Sequence, residues 1–223
     1  MAIPLDTPPS MVDIKPPTTF LLIRHGETDE NIKKLMQGQR NTLLNTTGKS
    51  QAKELALRIS EHYPKINQIY SSDLERALFT AKIAAEQLCL EVIQDISFKE
   101  VSWGIVEGIP IKDVEPLRTQ ESLQAKTWRE RWSYPYFQDA EPYNVAMERV
   151  KKGLATIAEK SPGETIAIFT HSRIIKILME DALDTESTPE LKNCGIARFT
   201  YSSSQEENRL KFEELVHLIQ ANH

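Results

Sequence analysis

Residues 20–31 read FLLIRHGETDEN, and the first four of them decide the fold. FLLI is an unbroken apolar run, the pattern of a strand covered on both faces inside a parallel sheet. Arg24 and His25 then fall where that strand ends. Thr28-Asp29-Glu30-Asn31 has the form of a helix start, with Thr28 as candidate cap and two acids in the first turn. The arrangement recurs near the other end of the chain, where TIAIFT (165–170) leads to His171 and to a helix beginning near Ser172.

The residues between these two strands alternate in the same way. After a Thr47-Gly48 turn, KSQAKELALRISEHY places Ala52, Leu55, Ala56 and Ile59 at helical spacing until Pro64 stops the pattern. IYSS (69–72) reads as a short strand. Ser72 and Glu75 have capping-box spacing for a helix over LERALFTAKIAAEQL, which puts Arg76 in its first turn. A β-like VIQDISF leads to Glu100. From 105 to 145 the periodicity fades and Pro, Trp and Tyr gather, which marks an inserted lobe. A helix over roughly 144–160, a β-like ARFTY and a mixed segment 208–219 complete the chain. This pattern predicts an α/β three-layer sandwich: a mostly parallel central sheet flanked by helices, with a small inserted helical and loop lobe. Residues 1–18 read as a Pro-rich flexible tail and 19–223 as one domain carrying the lobe.

Composition bounds what such a domain does. A chain of 223 residues with 40% hydrophobic content builds one core. The formal net charge of −5 offers no global field for nucleic acid or an anionic membrane, so any anionic ligand must be held by local cations. Cys89 and Cys194 stand far apart with no CxxC partner, which fits a reducing compartment and two core cysteines. The first nineteen residues hold five prolines and no apolar stretch of the secretory type. No apolar run approaches the roughly 20 residues that span a bilayer. The expectation is a soluble, cytoplasmic protein with no membrane or nucleic-acid partner.

The strand ends carry the chemistry. In open parallel sheets the ligand crevice lies beyond the carboxyl ends of the strands, where Arg24, His25 and His171 all fall. A helix starting after each strand would aim free N–H groups and its positive dipole end into that crevice. With Arg76 added, the set matches a phosphate monoester dianion, because arginine forms two-pronged contacts with phosphate oxygens. The plain alternatives are a structural histidine at either strand end and an Arg76 paired on the helix surface with Glu75 or Asp73. His62, His217 and His223 read as surface residues, and Trp128 and Trp132 as one packed face of a lobe helix.

Four blocks in order give the chain a family resemblance: LLIRHGETDEN with Gln37-Gly38, YSSDLERALFTA (70–81), FKEVSWGIVEG (98–108) and FTHSRIIKIL (169–178). They resemble the histidine phosphatase superfamily, which includes the cofactor-dependent phosphoglycerate mutases. The resemblance implies that His25 is the nucleophile. Arg24, Arg76, His171 and the Ser172 backbone N–H would bind the phosphoryl oxygens, with a further contact from Asn31. It also implies that a backbone carbonyl fixes the His25 tautomer, and that Glu100 is the proton donor, ahead of Glu107. His171 is expected to act as a cation. The implied activity is metal-independent hydrolysis of a small phosphomonoester through phosphohistidine, with no cofactor. The ExxxGxxEG form of the Glu100 block favours a phosphatase over a mutase, and the intact residue set argues against a non-catalytic phospholigand-binding module.

The chain departs from the family pattern in places. His171-Ser172-Arg173 and Lys176 stand where His-Gly-Gly and a later Arg are usual, Glu141-Pro142-Tyr143-Asn144 where Gly-Glu-Ser precedes a helix, and Asn41 to Asn45 where Asp-x-Pro-Leu-Thr is usual. Substrate recognition is therefore expected to be unusual. Trp103, Trp128, Trp132, Tyr134, Tyr136 and Phe137 are expected as an apolar substrate wall, with Arg118, Arg129 or Arg131 as outer anion contacts.

Overall fold

The computed structural model describes residues 15–203 and 208–219, so most of the expected tail lies outside the described residues. Its strands are β1 (Thr18–Arg24), β2 (Ile66–Ser71), β3 (Val92–Gln94), β4 (Thr165–Thr170), β5 (Ile196–Ser203) and β6 (Asn208–Val216). They form one mixed six-stranded sheet of order β3-β2-β4-β1-β5-β6. The β3, β2, β4 and β1 strands run parallel, while β5 is antiparallel to β1 and β6 to β5. β1 and β4 lie side by side at the centre, which explains why both are apolar without alternation.

Alternate β1 residues face opposite layers. Phe20 and Leu22 join Ile166 and Ile168 in one core cluster, whereas Leu21 and Ile23 join Ala167 and Phe169 in the other. All four β1 side chains are fully buried, which stabilises the fold by about 1.5–3 kcal/mol each. The Thr28 cap forms with its capping box, but α1 (Asp29–Ile32) is a single turn, ended as Lys34 takes φ +52°. It is too short for the dipole expected after β1. The stripe Ala52, Leu55, Ala56 and Ile59 of α2 (Thr46–His62) is buried, and its last three residues pack with Ala81, Ala84 and Ala85 of α3 (Glu75–Leu88) on the second cluster. Thr47-Gly48, read as a turn, lies in the first turn of α2, capped by Asn45 Oδ1 on the Gly48 N–H at 2.7 Å.

Two short helices, α4 (Gln120–Gln124) and α5 (Trp128–Arg131), and several 3-10 turns make up the lobe. Most of its aromatic residues pack in or against the core rather than forming an open wall, while Tyr134 is half-buried outside it. Trp103, Trp132 and Phe137 are buried, with Trp103 meeting Phe137 and Tyr143 edge-on, and Trp132 meeting Trp128 at 4.9 Å as its i, i+4 spacing predicts. The expected outer cations are engaged elsewhere: Arg118 pairs with Glu115, Arg129 with Asp181 and Asp184, and Arg131 with Glu186. The opposite layer is completed by α6 (Tyr143–Lys160) and α7 (Ser172–Leu183), whose Val150, Leu154, Ile174, Ile175 and Leu178 fill the first cluster.

Further local readings change. Segment 208–219 supplies β6, and a bulge opposite Arg198/Phe199 sets Phe212 and Leu215 three residues apart, which broke the period-2 pattern. Cys194 is buried, but Cys89 is exposed at the left-handed end of α3 with φ +54°. No helix of the described residues is long and apolar enough to cross a membrane.

Candidate active site

Three adjacent strands, β2, β4 and β1, deliver the candidate residues from their carboxyl ends. Backbone bonds tie those ends together: the His25 N–H donates to Thr170 O at 3.1 Å and the Ser72 N–H to Phe169 O at 3.0 Å. Beyond them His25, Arg76, His171 and Glu100 come together, all buried. The two imidazole rings lie 5.4 Å apart.

His25 Nδ1 is 2.7 Å from Gly26 O. A carbonyl only accepts, so Nδ1 carries the proton and Nε2 keeps its lone pair. Arg76 Nε donates to that Nε2 at 3.2 Å. Burial, then the charges of Arg76 and Arg24, holds the imidazole pKa well below its ordinary value, so the ring is neutral. Gly26 is required by packing, since a Cβ there would lie 2.6 Å from Gly48 O. The start of α2 thus fixes the loop that carries His25.

Arg76 is buried rather than paired on the helix surface. Its Nη1 donates to Arg40 O at 2.8 Å and to Thr42 Oγ1 at 3.3 Å, and its Nη2 to Gly38 O at 2.7 Å. Burial lowers its pKa to about 10, which leaves it a cation at neutral pH. Its helix lacks the expected cap: Ser72 sits before the α3 N-cap, Leu74, and the Glu75 N–H donates instead to Asn41 Oδ1 at 2.8 Å. Ser72 Oγ shares a hydrogen bond with His171 Nε2 at 2.9 Å. Arg24 Nη1 donates to Leu191 O at 2.6 Å. Arg24 Nε and His171 Nδ1 are buried without partners, two polar atoms that an anion could satisfy.

His171 differs from expectation in charge. Burial, then Arg76, His25, Arg149 and Arg24, holds its pKa well below the ordinary value, so the ligand-free ring is neutral. A phosphate dianion beside it acts in the opposite direction and favours the imidazolium. Ser172 begins α7 with no positive φ, so the position does not require glycine, and its N–H has no intrahelical acceptor. Asn31 Oδ1 closes the capping box with Thr28 and accepts from Asn193 Nδ2 at 3.3 Å, which leaves its own amide nitrogen for a ligand. Arg24, Asn31 and Asn193 border a cavity of about 500 Å³, and Arg24, Ser172 and Lys176 a second of about 280 Å³.

Glu100 follows the 3-10 turn Ile96–Phe98, which the buried Phe98 anchors. Its Oε1 accepts from the Val101 N–H at 2.9 Å and its Oε2 from the Arg173 N–H at 3.3 Å. Burial raises its pKa, opposed by the Val101 hydrogen bond and by Arg76. Glu107 has a different task, accepting from the backbone N–H groups of Gln39 and Trp103, both at 3.0 Å, and so tying two loops together. Arg149 on α6, which no sequence motif singled out, donates to Ser97 O at 2.7 Å and Glu100 O at 3.2 Å while forking onto Glu141. Pro142 is the uncapped start of that helix, so Glu141 serves this ion pair instead.

Comparison with known proteins gives a consistent family. The sequence model described as "Histidine phosphatase superfamily (branch 1)" matches residues 20–212. The chain is 32% identical over 164 residues to "Phosphoglycerate mutase-like protein 4" of Arabidopsis thaliana, covering 73% of this chain and 70% of that one. It is 29% identical over 197 residues to "Uncharacterized phosphatase PhoE" of Bacillus subtilis, covering 87% and 93%. Its fold is similar to that of a phosphoserine phosphatase from Entamoeba histolytica in complex with 3-phosphoglyceric acid, at a TM-score of 0.73 and 27% identity, covering 91% of this chain and 100% of that one.

Proposed function

The chain belongs to the histidine phosphatase superfamily, and we propose that it is a metal-independent phosphomonoester hydrolase with His25 as nucleophile. One observation carries the reading: the bond from His25 Nδ1 to Gly26 O leaves Nε2 unprotonated, with its lone pair turned to Arg76. Arg76 Nε now occupies that lone pair, and a bound dianion draws the guanidinium onto its own oxygens. Nε2 then attacks phosphorus in line as the bond to the ester oxygen breaks. Glu100, whose pKa burial raises, gives its proton to the departing oxygen. In the second step water attacks the phosphohistidine, the P–N bond breaks, and the Glu100 carboxylate takes the proton from that water. His25 returns neutral. Arg24, Arg76, the Ser172 N–H and a protonated His171 stabilise the equatorial oxygens, while Asn31 adds a donor at the edge.

The test uses p-nitrophenyl phosphate with EDTA present. Wild type is expected to turn over and His25→Ala to lose activity, while acid-labile, base-stable phosphate is trapped on the wild-type chain alone. Turnover that needs metal, or that survives His25→Ala, refutes the mechanism. A mutase-type phosphotransferase is the second reading, supported by the likeness to a phosphoglycerate mutase-like protein. Isomerase activity exceeding hydrolysis on phosphoglycerate would establish it in place of the first.

A further inference from the structure

Arg173 is the second residue of α7, directly after Ser172, and its N–H lies 3.3 Å from Glu100 Oε2. It therefore stands beside the proposed general acid, at a position where the family pattern has glycine. Its guanidinium lies over the rings of Trp103 at 5.6 Å and Tyr143 at 5.3 Å. A cation held over ring faces is attracted by the π-systems without using up a hydrogen-bond donor. Among the described residues no side chain or carbonyl accepts from the Arg173 guanidinium, whereas the guanidinium groups of Arg24, Arg76 and Arg149 all donate. Nor are its nitrogens among the sealed orphan atoms, so they reach solvent. Glu100 and Glu180 are the carboxylates whose charge reaches it. Neither hydrogen-bonds the guanidinium: Glu100 is held by backbone N–H groups, that of Arg173 among them, and Glu180 lies 3.6 Å from Lys176 Nζ.

An oriented, solvent-reaching cation next to the leaving-group side of a phosphate pocket is a binding element. We propose that Arg173 forms a second anion subsite, so that the preferred substrates are phosphomonoesters bearing another anionic group, a carboxylate or a second phosphate, close to the ester oxygen. This rests on the phosphatase reading above. The aromatic rings of the lobe then have a defined part in recognition: they hold the guanidinium in place and do not contact the substrate themselves.

Three ligands that share one two-carbon skeleton test the proposal: ethyl phosphate, 2-phosphoglycolate and ethylene glycol bisphosphate. Binding is measured by calorimetry on His25→Ala, so the readout is independent of turnover. The doubly anionic ligands are expected to bind about 10- to 100-fold tighter than ethyl phosphate, the span of a hydrogen bond to a charged group. That preference should collapse towards unity in His25→Ala/Arg173→Gln and return in part with Arg173→Lys, which keeps charge without the planar fork. The better of the two doubly anionic ligands identifies the second group. Equal affinity for all three ligands, or a preference that survives Arg173→Gln, overturns the subsite while leaving the phosphatase reading intact. Absence of binding by every ligand overturns both. A thermal melt of each variant separates loss of the subsite from loss of the fold.

Discussion

Replacing Glu100 by Gln removes the proton but little of the volume, and the hydrogen bonds around the carboxyl set the consequences. Both carboxylate oxygens accept backbone N–H groups, at 2.9 Å from Val101 and 3.3 Å from Arg173. A Gln amide offers one acceptor, so it will keep the shorter contact and set its NH2 against the Arg173 N–H. One buried donor loses its acceptor, which costs about 1–3 kcal/mol of stability and leaves the fold intact. The catalytic loss is larger and depends on the substrate. A general acid contributes on the order of 10²- to 10⁴-fold when the leaving group needs a proton, and little when it does not. An alkoxide needs one; p-nitrophenolate does not. Glu100→Gln is therefore expected to lower kcat/KM on ethyl phosphate by about 10²- to 10⁴-fold and on p-nitrophenyl phosphate by about tenfold or less. The quantity kcat/KM is chosen because it ends at phosphorylation of His25 and omits the later step in which Glu100 acts as base. Wild type should also show a basic limb on ethyl phosphate, as Glu100 loses its proton when pH rises through its raised pKa, and the variant should lack it. Equal losses on the two substrates would refute the acid role.

Stability should depend on pH through the same buried groups. His25 and His171 are depressed below 6.5 in the folded chain, so on acidification below 6.5 the unfolded chain takes up two protons that the folded one refuses. Glu100 is raised above 4.5, so the folded chain keeps one proton that the unfolded chain releases above that value. The two histidines outweigh the single carboxyl, so unfolding free energy should fall as pH drops from 6.5 towards 5. Denaturant melts across that range check it. Replacing both histidines by Asn should reverse the slope, and an unaltered slope would show that other groups are responsible. Arg149→Met should cost about 1–3 kcal/mol through the lost bonds to Ser97 O and Glu100 O and the stranded Glu141. As a positioning residue for Glu100, Arg149 should also matter more for ethyl phosphate than for p-nitrophenyl phosphate. A uniform loss on both substrates, unrelieved by Arg149→Lys, would assign it to stability alone.

The sequence by itself determined the frame, because the frame is written in local periodicity. FLLI and TIAIFT lack alternation because both faces of β1 and β4 are covered, and the α2 stripe repeats because one face of that helix is. These patterns place Arg24-His25 and His171 at neighbouring strand ends, and the four family blocks add Arg76 and Glu100. Tertiary structure decided what depends on partners distant in the chain. Ser72 has the spacing of a helix cap, yet its hydroxyl meets His171, while the first N–H of α3 donates to Asn41, thirty-four residues away. Cys89 reads as core but ends a helix in the left-handed region. The neutral state of His171 follows from burial and from arginines on separate elements. Arg149 reaches Glu100 from α6, and Arg173 lies over Trp103 and Tyr143 with no acceptor for its guanidinium among the described residues. Periodicity records which face of an element is buried; hydrogen-bond partners and local charge depend on what the folded chain brings against that face.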